Sequence, residues 1–500
     1  MPPEMKPAAQ PRSCCSFDRR GFFGSVAGGI SAGALAYLLN DDLLGGGELL
    51  GAEKHHAEPE RKVFDLKPRA SHFPPRATSV IQLFMNGGPS QVDLFDPKPM
   101  LDKHHGESYY DQIAADVSSP DAAGGLLRSP FKFAQHGQSG MWISEVMPHL
   151  SKEADQIAVI RSMYNTHPNH EPALFHIHSG KLMPGRPAIG AWVTYGLGSE
   201  NQNLPAYVVL DDPLGLPVNG VQSWQGGFLP PVYQGTRIRS TGSPLLDLEP
   251  ATDQPSSLAQ LESDLRSRLD ALHKEARPGE LRLDARIASY ELAARMQLEA
   301  TDALDVNQES PETLELYGVG NKTTDSYARR CIMARRLVER GVRYVQLYIN
   351  AQIWDNHNNL EKGVRGACER TDQPVAALLK DLRQRGLFDR VLVVWGGEFG
   401  RLPIAQLPKG KDISTAGRDH GPRGFSLWMA GAGIKGGSVY GGTDDVGYAA
   451  VDKPVSIADW HATILHLLGV DYERLFFVRN GLKEKLTDVN KAKVVRDILA

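Results

Sequence analysis

The chain has 500 residues, 41% of them apolar and 23% charged, which is enough to bury a sizeable core in water. A formal charge of -4, with Lys and Arg scattered rather than clustered, argues against nucleic acid as a partner. Four cysteines make no disulfide framework, and Cys331 and Cys368 read as buried thiols.

The first element is a leader. Asp18-Arg19-Arg20-Gly21-Phe22-Phe23 precedes a weakly apolar run from Gly21 to Leu39 with glycines at 21, 24, 28, 29 and 33. Paired arginines before a glycine-rich, modestly hydrophobic segment form the twin-arginine export pattern. A membrane helix is the alternative, because the run is just long enough to span a bilayer. Residues 1–45 are therefore expected to engage the twin-arginine machinery. Delivery would be periplasmic or extracellular, with a membrane tether if the leader stays uncleaved. That route carries folded proteins and fits a metal acquired before export. Residues 46–77, rich in Gly, Pro and charge, read as a linker.

Strands and helices alternate from there on. The predicted strand Ser79–Met85 runs into Asn86-Gly-Gly-Pro-Ser90, and Ile157–Ile160 precedes Asn165-Thr-His-Pro-Asn-His-Glu-Pro172. That second loop continues to His176-Ile-His178. Four histidines within it match no closed zinc spacing. His170 would lie at the start of a helix if Glu171–Ser179 is helical, whereas His176 and His178 read as structural. The strand Ala206–Leu210 follows, then helical patterns over Ser257–His273, Leu281–Leu304 and Asp325–Arg340, read as a helical insertion at about 257–340.

The strand Val342–Ile349 leads to Asp355-Asn-His357, whose Asp and His can point the same way from an extended loop and share a metal. The alternative is a chance surface pair. After the helix Gln373–Arg385 comes the strand Val391–Trp395, then Gly396-Gly-Glu398-Phe-Gly-Arg401. A lone carboxylate after a hydrophobic strand and two glycines is hard to explain as packing, pairing with Arg401 being the structural alternative. Asp419-His420 sits before the strand Phe425–Met429. Either His420 is a ligand oriented by Asp419 or Asp419 caps a turn. Gly431–Gly442 lacks the ending of a phosphate loop and reads as turns connecting edge strands. The helix Ile457–Leu468 closes the pattern, with a Ser456/Asp459 capping box. Gly341, Gly386 and Gly469 stand as helix stops.

Near-continuous apolar strands alternating with helices predict an α/β domain over 78–480 with a mostly parallel sheet covered on both faces, followed by a tail over 481–500. In such sheets chemistry collects at the carboxyl ends of the strands.

With these segments in order, the chain resembles the bacterial family named domain of unknown function 1501, within the alkaline phosphatase/sulfatase superfamily. Ile81 to Pro97 resembles its opening strand and loop. Ser179-Gly180 with Pro184-Gly-Arg-Pro187 is similar to the segment after a sulfatase nucleophile, Trp395–Arg401 stands at the central metal loop, and Ile457–Gly469 resembles the late helix. The resemblance implies an alkaline-phosphatase-like fold and a divalent metal (zinc, calcium or manganese). Its ligands would be Asp355, His357 and His420, with Asn86 and Glu398 at the remaining positions. It places the nucleophile position on or near His170; the nucleophile is expected to be metal-bound water, Thr166 or His170, with Glu398 as ligand or general base and Arg401 and Asn86 contacting the reacting oxygens. Phe399 cannot ligate, Asn86 offers a neutral oxygen, and no Cys/Ser-x-Pro-x-Arg motif is present, so formylglycine chemistry is not implied. The implied activity is hydrolysis of phosphate or sulfate esters, small-molecule or glycan-linked. The competing expectation is a non-catalytic module holding a glycan or a co-exported protein.

Overall fold

The computed structural model describes residues 64–239, 256–277, 302–349 and 352–500, with isolated positions between 283 and 296. The leader and most of the linker lie outside the described residues, as does most of the predicted helix Leu281–Leu304. Lys62–Ala500 forms one compact unit.

Its centre is an eight-stranded sheet: β1 (Ser79–Phe84), β2 (Ile157–Met163), β3 (Tyr207–Leu210), β4 (Thr236–Ile238), β5 (Tyr344–Tyr348), β6 (Val391–Gly396), β7 (Phe425–Ala430) and β8 (Ser438–Tyr440). The spatial order is β8-β2-β7-β6-β1-β5-β3-β4. Pairings are parallel except at β7, which is antiparallel to both neighbours, so seven strands run one way and β7 runs back. Every residue of β1, β3, β5, β6 and β7 is buried, which requires cover on both faces. The α/β class with a mostly parallel sheet is the one the apolar runs predict. The six predicted strands all lie in this sheet. β4 and β8 were not anticipated as strands; they are three-residue edge strands too short to leave a period.

The longer helices are α1 (His170–Ser179), α2 (Ile189–Leu197), α3 (Ser256–Glu275), α4 (Pro311–Tyr317), α5 (Asp325–Glu339), α6 (Leu360–Gln384) and α7 (Ile457–Leu467). The capping box on α7 forms, Ser456 accepting from the Asp459 N–H and Asp459 from the Ser456 N–H. α6 begins 13 residues before the predicted start, since Gly363, Gly366 and the internal Pro374 weaken its sequence signal. α5 packs against β1 and β5 and leads directly into β5, so it belongs to the sheet framework and not to an appended insertion. Among the described residues no helix is long and apolar enough to cross a membrane. Cys331 and Cys368 are buried free thiols whose pKa values burial pushes up.

His176 and His178, read as structural, are held by protein groups. His178 is fully buried, and its Nδ1 must accept from Gln346 Nε2 at 3.2 Å. Its Nε2 meets the Tyr348 hydroxyl at 3.1 Å. Burial, reinforced by nearby His461, pulls His178 down to about 3. His461, also fully buried and bonded to the Ile177 carbonyl at 2.9 Å, is lowered to about 3 by burial. Both rings are free to protonate near 6.5 once unfolded, so the unfolded chain binds more protons below that pH and stability falls as pH drops. Each ring should cost up to about 1.4 kcal/mol per pH unit. Thermal midpoints measured across this acid range should fall steadily, and His461→Gln should make that fall shallower.

Candidate metal centre

Five adjacent strands, β2-β7-β6-β1-β5, each deliver one loop to the same edge. Four loops leave carboxyl ends: β2 gives His170, β6 gives Glu398, β1 gives Asn86, and β5 gives Asp355 and His357. The fifth enters β7, and because β7 is reversed its amino end lies at that same edge, carrying His420. Candidate ligand atoms of His170, Asp355, His357 and His420 all lie within 4.8 Å of one another.

Asp355 is the hub. Its Oδ1 is 2.9 Å from His357 Nε2, 3.2 Å from His420 Nε2 and 2.7 Å from Arg401 Nη2; its Oδ2 is 3.3 Å from His170 Nε2. Burial pushes the carboxyl up, but the three imidazoles and the guanidinium outweigh it and hold Asp355 far below the carboxylate range. Burial pulls His170 down, yet its bonds to Asp355 and Glu398 prevail and raise it to about 9. His357 is raised by its bond to Asp355. His420 is drawn down to about 4 by burial, which its bond to Asp355 does not offset.

Glu398 is 1% exposed and does not pair with Arg401. Its carboxylate accepts from the Gly87 N–H at 3.0 and 3.2 Å and meets His170 Nδ1 at 2.7 Å. It thereby turns His170 Nε2 towards Asp355, the way a carboxylate orients a ligating imidazole. Gly87 sits at φ 105°, and a Cβ there would come within 2.6 Å of the Asp355 N–H nitrogen, so the β1 and β5 loops touch only because the residue is glycine.

Arg401 lies beneath the cluster at 1% exposure. Its N–H groups go to the carbonyls of Gly87, Gly88 (2.9 Å), Trp354 (3.2 Å) and Arg418 (3.2 Å) and to Asp355. It anchors Asp355 and ties four backbone carbonyls around it. Asn86 donates to the Ile349 carbonyl at 2.8 Å, while its Oδ1 is buried without a partner. Thr166 is exposed, its N–H bonded to Asn165 Oδ1 at 2.7 Å. His170, placed by the sequence at the nucleophile, has both nitrogens turned to carboxylates within the cluster. Asp419 caps the N–H groups of Ser118 (2.7 Å), Ser119 (3.2 Å) and His420 (2.8 Å); it fixes the backbone beside His420, not the ring. Phe399 is fully buried and packs its ring against His170 at 4.9 Å and His420 at 4.7 Å.

Four further residues escaped the sequence reading. Gln406 Oε1 meets His357 Nδ1 at 2.5 Å and so directs Nε2 to Asp355. Asn165 ties the β2 loop down, its side chain reaching the Glu398 carbonyl (2.8 Å) and His176 Nδ1 (2.7 Å) and its N–H the Pro422 carbonyl (2.8 Å). Arg418 and Asp93, both wholly buried, pair at 2.8 and 3.2 Å under the loop that carries His420. Neutral amides in loops leave no pattern in a single sequence; Arg418, beside Asp419-His420, was the one readable hint.

The donor set suits one dication: three imidazoles and a carboxylate converge, and Asn86 Oδ1 and His420 Nδ1 are buried without a hydrogen-bond partner. Fold and cluster together define an α/β protein with a candidate metal centre at its strand tips. The chain belongs to the family described as "Protein of unknown function (DUF1501)", whose profile matches residues 77–499. No curated protein matches. Similar solved structures include a phosphonate monoester hydrolase from Silicibacter pomeroyi (12% identity, 71% of this chain and 71% of that one, TM-score 0.33). A sulfatase from Pseudoalteromonas sp. is 13% identical over 80% of this chain and 69% of that one, with a TM-score of 0.31. A protein in the alkaline phosphatase superfamily from Vibrio parahaemolyticus is 11% identical over 81% and 70%, with a TM-score of 0.33. At such TM-scores no residue role passes from them to this chain.

Proposed function

We propose that this protein is an exported, metal-dependent hydrolase of phosphate or sulfate esters, with carbohydrate esters a candidate substrate class. The reading is carried by the convergence of His170, Asp355, His357 and His420 within 4.8 Å at the strand tips. Three imidazoles beside one carboxylate favour zinc or manganese over calcium, which takes oxygen ligands. When bound, a dication there supplies Lewis-acid polarisation of an ester oxygen. The chain's own residues do the rest. Glu398 and Gln406 aim two imidazoles, Arg401 pins Asp355, and Phe399 keeps water from one side of His170 and His420. Glu398 can also receive a proton from His170 Nδ1. The leader supports export by the twin-arginine route, in keeping with a metal loaded before translocation.

One observation favours a second reading, a non-catalytic module for a glycan or a co-exported protein: Arg401, the cation beneath Asp355, is bound to five protein acceptors. Metal analysis of the purified chain together with turnover of nitrophenyl phosphate and nitrophenyl sulfate separates the two. Hydrolysis predicts about one equivalent of tightly held metal and chelator-sensitive turnover. Metal-free protein that turns over neither ester would leave the binding module.

A further inference from the structure

The helix α3 carries five leucines that face water. Leu258, Leu261, Leu265, Leu269 and Leu272 are 44, 65, 58, 56 and 62% exposed. At 100° per residue they fall within an arc of about 80°, a single stripe along a helix about 30 Å long. A stripe this continuous on a soluble helix marks a contact surface.

Two features of the stripe specify what covers it. Its leucine spacings run 3, 4, 4, 3, a sequence that reads the same in either direction about Leu265. A second α3 laid antiparallel, with the two-fold axis at Leu265, therefore sets Leu258 against Leu272, Leu261 against Leu269, and Leu265 against itself. The flanking charges choose the orientation. Glu262 and Arg266 lie on one flank of the stripe, Asp264 and Arg268 on the other. In the antiparallel pair Glu262 falls beside the other copy's Arg266, and Asp264 beside its Arg268. In a parallel pair, acid meets acid and base meets base.

We infer that α3 is a self-association element: two copies of this chain pair through antiparallel α3 helices centred on Leu265, an isologous contact. The inference is independent of the metal centre.

Sedimentation velocity on the full chain tests it. The wild type should show a concentration-dependent dimer, and Leu265→Asp, at an exposed position that the monomer's fold does not need, should weaken association by about a hundredfold or more while far-UV dichroism stays unchanged. Two charge variants make the decisive pair. Arg266→Glu with Arg268→Glu renders both flanks acidic, and Glu262→Lys with Asp264→Lys renders both basic. Each alone should associate about tenfold or more weakly than wild type, and mixing them should restore a one-to-one dimer. A monomeric wild type, a dimer untouched by Leu265→Asp, or charge variants that stay apart on mixing would each overturn the inference.

Discussion

Asp355→Ala should strip the centre of metal and end any ester turnover, while the protein remains folded. Asp355 is the one carboxylate that touches all three imidazoles, so its removal takes away both a ligand and the anion that holds the other ligands in register. Changes to residues that merely orient a ligand cost about 10- to 100-fold in metal affinity, and loss of this one should exceed that. The fold should survive because Arg401, though it loses Asp355, keeps four backbone carbonyls. Metal content measured beside a thermal melt checks both halves; a variant that still holds stoichiometric metal would take Asp355 out of the centre.

The largest loss of stability should come from Arg418→Met. Arg418 and Asp93 are 0% exposed, and the guanidinium also serves the carbonyls of Leu127 at 3.0 Å and Pro403 at 3.1 Å. Methionine fills much of the volume but strands the Asp93 carboxylate, which then keeps only the Ser90 hydroxyl at 2.5 Å. Breaking one side of a buried ion pair costs about 3–5 kcal/mol. Pairing the change with Asp93→Leu should return a good part of that, because the stranded charge goes with it. Denaturant midpoints of the single and double variants measure both quantities.

These two residues also mark the limit of what the sequence discloses. Asp355 was readable because it follows a buried apolar strand and precedes a histidine by two positions. The framework was readable for a similar reason: strands covered on both faces are written as unbroken apolar runs, as in Val391–Val394. Short elements were less so. The helix Pro311–Tyr317 bears a Ser310 cap that accepts from the Thr313 N–H, with proline in its first turn, a start signal that passed without notice. Glu398 stood out as a lone carboxylate, but its partners, the Gly87 N–H and His170, lie more than two hundred positions away and only the fold brings them near. Asp419 carries a charge that looked chemical and is spent on backbone groups, a distinction that depends on loop geometry and not on residue type.

The segments bearing His357 and His420 are laced together by main-chain bonds, Arg418 donating to the Asn356 carbonyl at 3.0 Å and Leu360 to that of Ala416 at 3.0 Å. Gly417 lies so close to the His357 backbone that no side chain fits between them. The gap between these two imidazoles is thus a dimension of the polypeptide itself, set before any ion arrives. Cations of differing radius would have to adapt to a ready-made gauge, and preference among them becomes an inherited property of the backbone.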